Sequence, residues 1–195
     1  MLNHCSSTLF QRKLVILISK NEGKLFEDDF KKSIPDYCWF KRLNDNAASF
    51  SGGTNTRFAS DNECDFLLFD TARQKLLPIE LKSTQSSFSF WREDFENNSK
   101  KHTFQIKKNQ IVGLQKWSKY SNVICGFILN FRNKNNATYF VNIKDFLQYT
   151  STLLKKSINY NDVLQMNPVN IENDKKRTRY RYNIDNFLLE VCCVF

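Results

Sequence analysis

The stretch Cys64-Asp65-Phe66-Leu67-Leu68-Phe69-Asp70 continues, after the polar turn Thr71 to Lys75, into Leu76-Leu77-Pro78-Ile79-Glu80-Leu81-Lys82-Ser83. Two short apolar runs joined by turn residues read as a β-hairpin. Alternate side chains on a strand share a face, so Glu80 and Lys82 project together while Ile79 and Leu81 turn to the other side. A charged pair on an otherwise apolar strand costs desolvation unless something compensates. A divalent metal held between Glu80 and Asp65 from the neighbouring strand would do so, and hard oxygen ligands suit Mg²⁺, with Mn²⁺ an alternative. Lys82 would then orient an activated water or neutralise developing charge. An ion pair at a strand edge gives the same letters, so spacing alone leaves both readings open.

Outward from the hairpin, Phe26, Phe30 and Ile34 recur at four-residue steps. They predict a helix from a capping box at Ser19-Lys20-Asn21-Glu22 to about Ser33, ended by Pro35. Tyr37 to Leu43 reads as an aromatic-rich strand, and Asn44 to Asn62, with Gly52-Gly53, as a mobile loop. Thr84 to His102 reads as an insertion with its own packing. Ile106 to Tyr120 is helical by pattern, with Ile106, Leu114 and Trp117 on one stripe. Asn122 to Phe131 is nearly all apolar, as a central strand buried on both faces would be. Thr138 to Ile143 gives another strand and Phe146 to Leu154 a helix. The order predicts an α/β fold, a mixed central sheet flanked by helices.

Two further residues bear on the hairpin. Gln110 falls on the helical stripe four residues from Ile106 and from Leu114. A buried amide needs a partner, and Gln110 can reach the metal site or bond to backbone. Glu27 lies beside Phe26 on the first helix, where the residues alone favour a solvated helix charge.

The chain of 195 residues carries 29 Lys plus Arg against 20 Asp plus Glu, a net charge of +9, which makes a polyanion the natural partner. Aromatic content of 14% with 18 Phe argues for a packed core and against disorder. The run Lys175-Lys176-Arg177-Thr178-Arg179-Tyr180-Arg181-Tyr182 alternates Arg and Tyr. On a strand this sets guanidinium groups on one face for phosphate contacts, and rings on the other to pack or stack. Lys155-Lys156 adds a second basic point, and Lys100-Lys101 with Lys107-Lys108 a third. An ordinary solvated surface is the alternative for all three.

Six cysteines without a CxxC pair, and two histidines, make zinc a poor fit and free thiols in a reducing compartment the better reading. The apolar run Leu14 to Ile18 is too short for a signal-peptide core or a membrane span. A soluble, cytoplasmic protein that avoids membranes is the expectation.

With Cys64-Asp65-Phe66 and Ile79-Glu80-Leu81-Lys82-Ser83-Thr84 quoted, the chain resembles the PD-(D/E)XK nuclease superfamily. More narrowly it is similar to RecU-type Holliday junction resolvases and their phage relatives. Glu27 looks like that group's first-helix glutamate and Gln110 like its helix glutamine, and the likeness runs from about Asn21 to Phe187. Cys64 stands where the superfamily name has proline. The resemblance implies a restriction-endonuclease-like core in a single nuclease domain over residues 1–195. Its parts would be an arm at 1–18, a catalytic core at 21–154 and a basic C-terminal extension at 155–195.

By the same resemblance the activity is that of a homodimeric, Mg²⁺-dependent endonuclease that nicks four-way DNA junctions symmetrically. Catalysis then falls to Asp65, Glu80 and Lys82, and metal binding to Asp65, Glu80, Gln110 and Glu27. On the charge pattern above, DNA contacts fall to Lys155, Lys156, Lys175, Lys176, Arg177, Arg179 and Arg181. Residues 44–62 are the candidate for a junction-inserting stalk. A phage or mobile-element nuclease acting on linear or flap DNA is one alternative, and a non-catalytic DNA-binding recombination accessory protein another.

Overall fold

The computed structural model describes residues 22–43, 62–94 and 104–195. The expected N-terminal arm and capping box, and the loop before Asn62, lie outside these residues. A helix α1 covers 22–31, ending two residues before the expected Ser33. Strand β1 (Cys38–Arg42) pairs antiparallel with β2 (Phe66–Asp70), and β2 with β3 (Lys75–Thr84), which gives the expected hairpin. After the short strand β4 (Ser87–Ser89) comes helix α2 (Lys108–Trp117). The chain then returns through β5 (Gly126–Phe131), parallel to β3 with Glu80 opposite Phe127. Strand β6 (Ala137–Asn142) continues the sheet antiparallel to β5.

Helix α3 (Ile143–Ser151) begins three residues earlier than the apolar pattern predicts. The Asn142 side chain accepts the Lys144 N–H and starts it, a cap signal that an apolar stripe does not carry. A short strand β7 (Ser157–Asn159) pairs with β4, and one turn of helix, α4 (Tyr160–Val163), follows. The remaining elements are β8 (Val169–Asn170), the hairpin of β9 (Asn173–Lys176) and β10 (Arg179–Tyr182), and helix α5 (Ile184–Val194).

The central sheet runs β1-β2-β3-β5-β6-β8, mixed because β3 and β5 alone are parallel. Its first face carries Phe66, Leu68, Leu77, Ile79, Leu81, Ile128 and Phe140, which pack with Phe26 and Phe30 of α1 and with Phe187, Leu188 and Val191 of α5. Its second face carries Phe127, Leu129, Phe131 and Val141, packed with Ile111 and Leu114 of α2 and Phe146 of α3. The mixed α/β sheet with flanking helices is therefore present.

Within the stretch 155–195, β8 is an edge strand of the central sheet and α5 is buried in the first-face core. Strands of two to four residues have no periodicity to read, and β4 finds β7 about seventy residues away.

Candidate active site

β3 runs on past the start of β2. Phe66, the first residue of β2, stands opposite Ile79, so the Leu81 N–H has no strand partner on that side. The Asp65 side chain takes it, with Oδ2 accepting the Leu81 N–H at 2.9 Å. The Asp65 backbone is fixed from both flanks: its N–H donates to the Ile79 carbonyl at 3.1 Å, and its carbonyl accepts the Leu43 N–H at 2.8 Å.

Glu80 sits one strand over, on the second face, and only 2% exposed. Its Oε1 accepts from Lys82 Nζ at 2.8 Å and from Gln110 Nε2. Gln110 Oε1 accepts the Lys107 N–H at 2.9 Å, so both ends of that amide are engaged. Gln110 thus bonds both to backbone, through Lys107, and to the Glu80 carboxyl.

Helix α2 delivers Gln110 because it lies unusually close to the chain leading into Asp65. A Cβ on Gly113 would stand 2.4 Å from the Glu63 Cβ, so no larger residue fits there. A helical glycine costs about 1 kcal/mol relative to alanine. Here the close approach uses it. Trp117 Nε1 donates to Glu63 Oε2 at 2.8 Å, and Asn109 Nδ2 to the Asn62 carbonyl at 2.7 Å. Gly113 and Glu63 were not picked out by sequence reasoning, although a lone glycine inside a helical pattern is a readable signal of close packing.

Burial dominates the electrostatics. It pushes the Glu80 carboxyl up to about 8; Lys82 opposes the rise and the neighbouring Asp65 adds to it. Burial also raises Asp65, against the Leu81 N–H, Lys82 and Arg42. The two carboxyls are neighbours, each acting on the other, and at neutral pH burial keeps the proton on Glu80. Cys64 adds no nucleophile: burial, then Glu80 and Asp65, push its thiol up to about 12, and the thiol donates to the Phe66 carbonyl.

Asp65, Glu80, Lys82 and Gln110 are thus brought together. Glu27 approaches from α1 on the first face, where Arg42 holds it at 3.2 Å. Arg42, which sequence reasoning passed over, also acts electrostatically on Asp65 and so links Glu27 to the cluster. Among the described residues no group of three or more His, Cys, Asp or Glu side chains is arranged to hold a metal ion. The donor set fits a hard divalent cation nonetheless. Two neighbouring carboxyls offer hard oxygen donors, and a cation taking the place of the Glu80 proton would satisfy both.

The basic residues divide. Lys155 is engaged by Asp162 at 2.6 Å, and the Lys156 carbonyl accepts the Phe90 N–H. Arg179 Nε donates to Asp29 Oδ1 at 2.6 Å, docking the β9–β10 hairpin on α1. Lys175, Lys176, Arg177 and Arg181 are exposed on that hairpin. The expected alternation is present, with the rings turned inward: Tyr182 packs on Phe26 and Phe30, and Tyr180 against the same core. Cys38, Cys64, Cys125, Cys192 and Cys193 are free thiols, and Cys5 lies outside the described residues. Among the described residues no helix is long and apolar enough to cross a membrane.

No protein-family model matches the chain. It is similar to the SPbeta prophage-derived uncharacterized protein YotM of Bacillus subtilis (strain 168), at 35% identity over 140 residues. The alignment covers 71% of this chain, and the chain spans 64% of that relative's length.

Proposed function

We propose that the chain is a metal-dependent DNA endonuclease of restriction-endonuclease-like fold that nicks branched DNA, with four-way junctions as its preferred substrate. The observation that carries this reading is the neighbouring pair of half-buried Asp65, just before β2, and buried Glu80 on β3, with Lys82 and Gln110 both held on one oxygen of Glu80. A fold does not need such a pair, and an apolar pair would be cheaper there.

Asp65 and Glu80 would hold Mg²⁺, and Gln110 keeps Glu80 oriented toward it. When bound, the ion supplies Lewis-acid stabilisation of a phosphodiester and a water of lowered pKa. Lys82, with 21% of its side chain exposed, stands between the buried carboxyl and solvent. There its ammonium neutralises charge that builds on the phosphate under attack. Leu81 N–H fixes the Asp65 carboxyl, so neither acid reorganises as substrate arrives. The exposed Lys175, Lys176, Arg177 and Arg181 supply phosphate contacts that position DNA without reading sequence. Symmetric nicking of a junction requires two such sites, hence a homodimer.

The test is cleavage of a synthetic four-way junction beside a linear duplex of the same sequence, in Mg²⁺ and in EDTA, with wild type and Glu80→Gln. Paired, metal-dependent nicks on the junction that Glu80→Gln abolishes are the expected result. Equal cutting of both substrates would leave a nuclease without junction preference, and tight binding without cutting would point to an accessory protein.

A further inference from the structure

Helices α2 and α3 pack on the second face of the sheet over β5 and β6. At the β1–β2 end the same face is open. Trp39 is 52% exposed and Lys41 is exposed beside it. Phe69 and Leu76 next to them are half-buried and, among the described residues, packed in neither core. Register puts this strip on the side of the acid pair. Trp39 stands opposite Phe69 and Phe69 opposite Leu76, while Lys41 stands opposite Leu67 and Leu67 opposite Pro78. Residues directly opposite share a face, and so do residues two apart on a strand. Glu80, two residues beyond Pro78, is therefore in the next row of the same face. Along the strands the row of Lys41 lies about 7 Å from the row of Glu80, and the row of Trp39 about 13 Å. The β9–β10 hairpin is held on α1, on the first-face side, and takes no part in this surface.

The chemistry of the strip is specific. Trp39, Lys41, Leu67, Phe69, Leu76 and Pro78 carry a single charge, that of Lys41, and no acid interrupts them. The lysine stands between the tryptophan ring and the row of Glu80. A large ring left in water forgoes the burial that an indole normally finds, so its exposure calls for a partner. Lysine on an edge strand discourages pairing with another sheet, which argues against a second copy as that partner. A cation and an open ring on one surface match a phosphate and a base of one strand instead. Stacking on a side chain needs a base whose flat face is accessible, and a paired base within a duplex does not offer it.

From this we infer that a single strand of the substrate runs from the acid pair over β2 and β1 on the second face, with a phosphate on Lys41 and an unpaired base stacked on Trp39. The inference rests on the nuclease reading above and deepens it by naming where the DNA lies. It gives a branched substrate an advantage over a fully paired one, because only the former presents bases free to stack.

The test is binding of a short oligothymidylate and of a blunt duplex in EDTA, where no metal-dependent cutting can occur. Wild type should bind the single strand with quenching of tryptophan emission. Trp39→Ala should weaken that binding about tenfold, the loss of one base–aromatic stack, and remove most of the quenching. Trp39→Phe keeps a ring and should stay within about threefold of wild type. Lys41→Gln should lower the slope of log affinity against log salt by about 0.7, the share of one phosphate on a single strand. Duplex binding by Trp39→Ala should change by less than about twofold, since phosphate contacts carry it. Both side chains are exposed, so the variants should fold, and circular dichroism checks that they do. Equal single-strand binding by wild type and Trp39→Ala overturns the proposal, as does an unchanged salt slope in Lys41→Gln. A dimer that Trp39→Ala dissociates in sedimentation, with single-strand binding unchanged, assigns the face to a second copy and overturns it too. Glu80→Gln should bind the single strand as wild type does. Cutting is read separately in Mg²⁺, so a chain that binds through Trp39 but cuts nothing counts against the nuclease reading alone.

Discussion

Two buried carboxyls in this protein each have a lysine as partner, and they end in opposite states. Asp162 of α4 meets Lys155 at 2.6 Å, and Glu80 of β3 meets Lys82 at 2.8 Å. Burial works against both charges. At Asp162 it is outweighed by the Asn159 N–H, Lys155 and the Tyr149 hydroxyl, and the carboxyl is held below its ordinary range. At Glu80 burial is deeper and a second carboxyl lies beside it, so the group is pushed up to about 8. A lysine therefore does not decide the outcome. What decides it is whether the remaining oxygens find donors or another acid. Asp162 is a closed structural pair, whereas Glu80, with Asp65 beside it, keeps its proton despite Lys82.

The contrast can be broken most severely at the acid pair. Glu80→Gln should lower junction nicking by more than about 10³-fold, and Lys82→Met by about 10²–10³-fold, the cost of removing one group that stabilises a transition state. Single-turnover cleavage in Mg²⁺ reads both. Circular dichroism should find the folds intact, since neither change opens the core. Gln110→Ala leaves the acids but frees Glu80, and it should weaken metal affinity by about 10–100-fold, as loss of a ligand's supporting hydrogen bond does. A metal titration followed through the rate would show it as a shifted half-saturation.

The closed pair should respond in the opposite currency. Asp162→Ala removes acceptors for Lys155, Tyr149 and the Asn159 N–H. It should cost about 2 kcal/mol of stability, or about 4–8 °C in Tm for a chain of this size. Turnover per folded molecule should not change. A loss of turnover without a loss of Tm would mean that the two pairs are not different in kind.

The acid pair also predicts a slope with pH. Glu80 rises from its ordinary 4.5 to about 8 on folding, so between these values the folded state holds the extra proton. Stability contributed by this group is full below pH 4.5 and is lost as pH rises through 8, opposite to an ordinary buried ion-paired acid. Metal-free Tm should therefore fall across that window more in wild type than in Glu80→Gln. Added Mg²⁺ should flatten the wild-type curve at its alkaline end.

How much of this was legible depended on the range over which each signal acts. The β2–β3 hairpin and the shared face of Glu80 and Lys82 follow from a period of two within eight residues. Gln110 followed from a helical stripe, because α2 turns the same stripe to the sheet that carries Glu80. The link from Glu27 through Arg42 to Asp65 joins three elements, and no local pattern encodes it. The same holds for Arg179 on Asp29, 150 residues apart, which converts an expected DNA contact into a clasp between hairpin and helix. Lys155 looked basic in sequence, yet its charge is spent on an acid seven residues on. Strand β8, two residues long, is specified only by the register of β6 beside it.

The most direct measurement is calorimetric titration of the full chain with Mg²⁺, and with Mn²⁺ in parallel, at pH 7 in two buffers of different ionisation enthalpy. If Asp65 and Glu80 form a cation site that now holds a proton, binding should release close to one proton, and both binding and release should vanish in Glu80→Gln. Binding without proton release, or binding of equal strength in Glu80→Gln, would contradict the account.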